Sequence, residues 1–252
     1  METFDIKNIK KISLNSPIII EGLPGIGNVG KLSTDFIIES LKAKKIMEIH
    51  SDSFPHSVFV NENNLVDLPT INVYYKQLKK QDFLFIAGDV QPLDERSCYS
   101  FCETILDKFK ASKVKEIVTL GGIGLPKIPK NPKVYATANN KKILNSYKNT
   151  SINSNIFGIV GPIIGVSGLL VGLAGKRNIP ATALLAQTFG HPSYIGIKSA
   201  RELIKVLNQR FDFGIDLKEL DKEITELEVE MPLKQTAEIQ MPQKEDKISY
   251  IG

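Results

Sequence analysis

The stretch Ile18-Ile19-Ile20-Glu21-Gly22-Leu23-Pro24-Gly25-Ile26-Gly27-Asn28-Val29-Gly30 reads as a short apolar strand, a glycine-rich turn and the entry to a helix extending to Leu41. Gly25, Gly27 and Gly30 satisfy GxGxxG in the strand-turn-helix context where such glycines let a dinucleotide pyrophosphate approach the backbone. Glu48, at the end of a second strand, stands where a ribose-binding carboxylate belongs. Three features oppose that assignment. A polar segment that can itself pair precedes the strand, Pro24 removes a backbone donor, and Lys31 directly follows the last glycine. The same glycines serve close helix-on-strand packing whether or not phosphate binds. A P-loop is excluded because Gly30-Lys31 is followed by Leu32 rather than Ser or Thr.

Outward from this turn, apolar β-rich runs recur: Lys45 to Ile49, Val58 to Val60, Ile71 to Tyr75, Phe83 to Ala87, Glu116 to Leu120, Lys133 to Ala136, Ile156 to Val160 and Ala181 to Leu185. Several are continuous rather than alternating, the mark of strands covered on both faces. Helical patterns at Ser97 to Phe109, Gly168 to Arg177 and Ser193 to Phe211 separate many of them. The fold class is therefore α/β, a three-layer sandwich around a largely parallel or mixed sheet. Glycine clusters at 22–30, 88, 121–124 and 161–168 follow strands and are expected along the sheet's carboxyl edge, where α/β proteins place binding crevices.

Composition narrows the function classes. A net charge of +4 comes from scattered pairs such as Lys44-Lys45, Lys79-Lys80 and Lys141-Lys142, without Trp or a basic stripe, which speaks against nucleic acid. Met1 to Asp5 is no signal peptide, so a cytoplasmic location is expected. The uncharged run from Ile156 to Gly175 is long enough to span a membrane, but its glycines and Pro162 punctuate it into strand, turn and helix, with Ser167 as a candidate cap. Cys98 and Cys102 share one helix face as small buried hydrophobes. Two thiols and the unspaced His50, His56 and His191 make no metal set.

No catalytic set converges. Gly165-Val166-Ser167-Gly168-Leu169 approaches GxSxG but lacks its last glycine. His191 before Pro192 reads as a turn residue, and Asp89 and Asp94 as acids at a strand end and a helix start.

Taken in order, Glu21 to Gly30, Gly88-Asp89-Val90-Gln91-Pro92, Thr119 to Gly124, Gly165 to Leu170 and Gly190-His191-Pro192 resemble the archaeal proteasome assembly chaperone family, over about Ile18 to Asn208. The resemblance implies a nucleoside-phosphorylase-like fold and an ATP-independent, homo-oligomeric chaperone or activator of the 20S proteasome. It implies no cofactor and no catalytic residues, and a glycine turn that shapes the domain. Members that dock on proteasome α-subunits use a C-terminal hydrophobic-Tyr-any tail. Here Ser249-Tyr250-Ile251-Gly252 displaces the tyrosine by one place, with Tyr250, Ile251 and Gly252 the expected partner contacts. The alternative is an enzyme, a dinucleotide oxidoreductase or a phosphorylase-like protein, using Gly25, Gly27 and Gly30.

The chain divides on sequence into an α/β domain over 1–213, an amphipathic helix over 214–231 and a flexible tail over 232–252. Leu217, Leu220, Ile224, Leu227 and Met231 give the helix an apolar seam, and Pro232 ends it. Residues 232 to 249 reach at most about 60 Å extended and about 25 Å as coil.

Overall fold

The computed structural model describes residues 4–153, 161–218, 220–222 and 224–225. Two compact units result, Met1–Ile215 and Asp216–Gly252. In the first, β1 (Asp5–Asn8), β2 (Ile18–Glu21), β3 (Lys44–His50), β6 (Ile71–Leu78), β7 (Gln81–Gly88), β8 (Glu116–Leu125), β9 (Val134–Ala138), β10 (Ile152–Asn153) and β11 (Ala181–Phe189) form one sheet. Its order is β1-β3-β6-β7-β2-β8-β11-β9-β10. β7, β2, β8 and β11 run parallel at its centre, and antiparallel pairings flank them, so the sheet is mixed. Helices α1 (Val29–Ser40) and α5 (Ile197–Phe211) pack together, as do α2 (Glu95–Lys108) and α4 (Val166–Lys176); a short α3 (Lys141–Asn145) follows β9.

The period of two along the central strands sorts their side chains between the layers. Ile19, Leu84 and Ile86 join one buried cluster with Phe101 and Cys102 of α2 and Leu170 of α4. The alternate residues Phe83 and Phe85 instead meet Phe211 and Phe213 edge-on, with ring centroids 5.1 to 6.3 Å apart. Both faces of β2 and β7 are thus covered, which is why their sequences are continuously apolar.

Several boundaries differ from the sequence expectation. Gly121 to Gly124 are not a loop but the second half of β8, because β11 pairs with it from Ala181↔Ile117 through Phe189↔Leu125. Ser167 does not cap α4; Gly165, at φ 87°, holds the N-cap position without a side-chain bond. α5 starts at Ile197 rather than Ser193. Asp94 does cap α2, its Oδ1 accepting from Ser97 N at 2.9 Å. The β6–β7 hairpin turns on Lys79 and Lys80, both at positive φ (50° and 68°), the geometry of a two-residue primed turn without the usual Asn-Gly signal. Val58 to Val60 does not enter the main sheet; β4 (Phe59–Val60) and β5 (Val66–Asp67) form a separate hairpin. The expected strand over Ile156 to Val160 lies outside the described residues. No helix among those described is long and apolar enough to cross a membrane.

Candidate functional site

β2 ends on an acid that a buried central strand does not ordinarily carry. Glu21 is fully buried; its Oε1 accepts from Leu23 N at 3.0 Å and its Oε2 from Ser167 Oγ at 3.1 Å. Burial raises its pKa to about 7, against the opposing effect of those two bonds. Since the ordinary value is near 4.5, the folded state holds this proton more tightly than the unfolded chain. The stabilisation is complete below the ordinary value and is lost as pH rises through 7. We predict a loss on the order of 3 kcal/mol between pH 4 and pH 8 from this residue. Urea unfolding of wild type and Glu21→Gln at the two pH values checks it, the difference between the pH values shrinking in the variant.

Ser167, the partner of Glu21, lines a cavity of about 540 Å³, also bordered by Pro24, Gly25 and Gly30 of the turn, Leu120 to Gly124 of β8 and Gly161 to Ile164. The glycine clusters do gather at the carboxyl edge. The walls are mainly aliphatic and backbone; Ser167 and Gln91 supply side-chain polar groups, and no charged side chain is among the lining residues described.

The three turn glycines differ in their surroundings. Gly27 is buried at φ 63°, where an added Cβ would lie 2.6 Å from Thr188 Oγ1. A Cβ on Gly30 would lie 2.5 Å from the Leu120 carbonyl oxygen, and one on Gly25 would meet nothing within 4 Å. Gly27 O also accepts from Gly196 N at 2.8 Å, so this part of the turn is fastened to the domain. Glu48 is not beside the turn. It sits on β3, separated from β2 by β6 and β7, where Lys45 and His50, each 2.8 Å away, hold its carboxyl down at about 2. The ribose carboxylate that a dinucleotide site needs is therefore missing from the place the sequence spacing suggested.

Other candidates disperse. Asp89 accepts from Thr70 N at 3.4 Å, while Asp94 is occupied as a cap. His191 stacks on Phe189 and contacts Ser193 through Nδ1. Cys98 and Cys102 are buried and unpaired, and burial raises both thiols. Among the described residues no group of three or more His, Cys, Asp or Glu could hold a metal. Tyr250, Ile251 and Gly252 lie outside the described residues.

Sequence reasoning missed Glu21 and the β4–β5 hairpin. The first was signalled by an acid closing an all-apolar strand. The second was signalled by the Asn-rich turn Asn61-Glu62-Asn63-Asn64 between two apolar runs. The hairpin and the residue that follows it expose Val60, Leu65, Val66 and Leu68 at 63 to 69% of their surface, a concentration of apolar side chains that marks an interaction face.

A model of the PAC2 family matches residues 19–233. An uncharacterized protein of Methanocaldococcus jannaschii is 26% identical over 258 residues, spanning 99% of this chain and 97% of that protein. The crystal structure of Pyrococcus furiosus PbaB, an archaeal proteasome activator, superposes with a TM-score of 0.85 at 28% identity, covering 93% of this chain and 100% of that one. Pyrococcus furiosus PbaA, an archaeal homolog of proteasome-assembly chaperone, shares the fold with a TM-score of 0.74 at 20% identity, over 93% and 94% of the two chains.

Proposed function

The chain belongs to the PAC2 family, and from that membership we propose that it is a proteasome-binding assembly chaperone or activator that works by protein contact. One observation carries the reading: likeness to PbaB, an archaeal proteasome activator, extends over 93% of this chain and all of that one. The partner is the 20S proteasome through its α-subunits, and the tail residues Tyr250, Ile251 and Gly252 provide the docking contact. Co-elution of the purified chain with isolated α-subunits and with assembled 20S particles tests it. Failure to associate with either would remove the reading.

The protein acts as a homo-oligomer, and the β4–β5 hairpin supplies the apolar surface between copies. Four side chains exposed at 63 to 69% on one short hairpin and the residue that follows it are better matched by a second apolar surface than by water. Light scattering on the Val60→Glu/Val66→Glu double variant should give the monomer mass where wild type gives a multiple of it. An unchanged multiple would place the self-contact elsewhere.

A further inference from the structure

The cavity at Ser167 is not called on by the tail and hairpin contacts proposed above, yet its serine is paired with a buried carboxylate. We propose that Ser167 is an activated nucleophile, with Glu21 as its general base, in a cavity that admits a small, largely apolar acyl ester.

Ser167 borders the cavity, and its Oγ lies 3.1 Å from Glu21 Oε2, within the range for direct proton transfer. Leu120 O, at 3.4 Å, is the hydroxyl's more distant acceptor. Ser167 is also held from its other side, its carbonyl accepting from Thr119 Oγ1 at 2.9 Å. The serine is therefore fixed by two strands, and its hydroxyl is not spent on capping the helix. The first intrahelical amide bond of α4 at this end runs from Leu169 N to Gly165 O. The amides of the preceding first-turn residues have no intrahelical acceptor and stand at the positive end of the helix.

Basicity follows from burial. A carboxylate of ordinary pKa is too weak to deprotonate an alcohol usefully, whereas one raised to about 7 has the basicity of an imidazole. The groups that face Glu21 leave that value undisturbed by charge. Its register partners are Ile86 on β7 and Thr119 on β8, α4 presents Ser167, and α2 presents the Cys102 thiol, which stays protonated because burial raises it.

The location fits a ligand site on independent grounds. The chain leaves β2 toward the β3 side of the sheet and leaves β8 toward the β11 side, so the cavity sits where the strand order diverges, at the carboxyl ends of parallel strands. Its 540 Å³ lies within the range of small-molecule pockets. Gly25 has neither a positive φ nor a neighbour within 4 Å of an added Cβ, and its missing side chain leaves that border of the cavity open. Aliphatic walls, with no formal charge among the lining residues described, suit an apolar acyl group.

The step balances without a cofactor. Ser167 Oγ adds to the ester carbonyl carbon as its proton passes to Glu21 Oε2. The bond to the alkoxide breaks, and the alkoxide takes that proton and leaves as the alcohol. Water then gives a proton to the same carboxylate and adds to the acyl carbon; Ser167 Oγ departs and recovers the proton, so ester and water become acid and alcohol.

The full chain treated with a fluorophosphonate, followed by peptide mass spectrometry, tests the pair. One adduct per chain is expected on Ser167, forming at a rate that rises as pH passes through about 7 and then levels, because only the ionised carboxylate accepts the proton. Glu21→Gln should slow it at least about 100-fold and flatten the profile. Gly25→Leu, whose Cβ would meet nothing within 4 Å, should slow hydrolysis of 4-nitrophenyl butyrate while leaving the denaturation midpoint in place. An absent adduct, an adduct on another residue, a wild-type rate that is flat with pH, or Gly25→Leu without effect would each overturn the proposal.

Discussion

Gly30→Ala is expected to destabilise the domain by at least about 3 kcal/mol, and Gly172→Ala to stabilise it by up to about 1 kcal/mol. Both glycines lie in helices, and helix propensity alone favours alanine at both by about 1 kcal/mol. Their surroundings separate them. A Cβ on Gly30 would sit 2.5 Å from the Leu120 carbonyl oxygen and 3.4 Å from Gly22 Cα, whereas one on Gly172 meets nothing within 4 Å. The obstacle at Gly30 is the backbone of β8, fixed between β2 and β11, so α1 rather than a flexible side chain must shift. Overpacking of this kind costs about 1–3 kcal/mol where side chains can yield, and more where they cannot. Urea denaturation midpoints of the two variants should therefore move in opposite directions. A neutral or stabilising Gly30→Ala would mean that α1 does not pack on β8 as closely as described.

Deleting Tyr250 to Gly252 is expected to abolish co-elution with the 20S particle without moving the denaturation midpoint of the α/β domain. An aromatic ring and a neighbouring aliphatic side chain seated in a partner's pocket are the kind of anchors that dominate an interface, at about 2 kcal/mol or more each. Losing 2 kcal/mol weakens binding about 30-fold and losing both anchors about 1000-fold, beyond what chromatography retains. Tyr250→Ala should show the intermediate value. Loss of co-elution in Val60→Glu/Val66→Glu with no effect of the deletion would move the contact from the tail to the hairpin.

Legibility in the sequence varied with the range of the interactions involved. The central strands were legible because burial on both faces imposes uninterrupted apolar runs such as Ile18 to Ile20 and Phe83 to Ala87. Helices α1 and α2 were legible from apolar spacing, and α2 also from the acid Asp94 at its start, which the structure shows to be its cap. Edge strand β10 was not, and β1 was legible only as a polar segment able to pair, since Asp5–Asn8 and Ile152–Asn153 are short and partly exposed and carry no periodic signal. Gly121 to Gly124 misled for the opposite reason: composition favours a turn, but nine consecutive register pairs with β11 hold the segment extended.

The glycine turn shows the same division at the site. Sequence by itself determined that the segment from Ile18 to Gly30 is strand, turn and helix, that the domain is α/β, and that its glycine clusters meet at one edge, because these follow from local sterics and hydrophobic periodicity. Only the tertiary structure decided what meets there. Strand order put β6 and β7 between Glu48 and the turn, removing the dinucleotide carboxylate, and brought Ser167 to Glu21 across 146 residues of chain. Neither strand order nor a buried acid's partner is written in the spacing of residues along the chain, since both are set by which faces pack together.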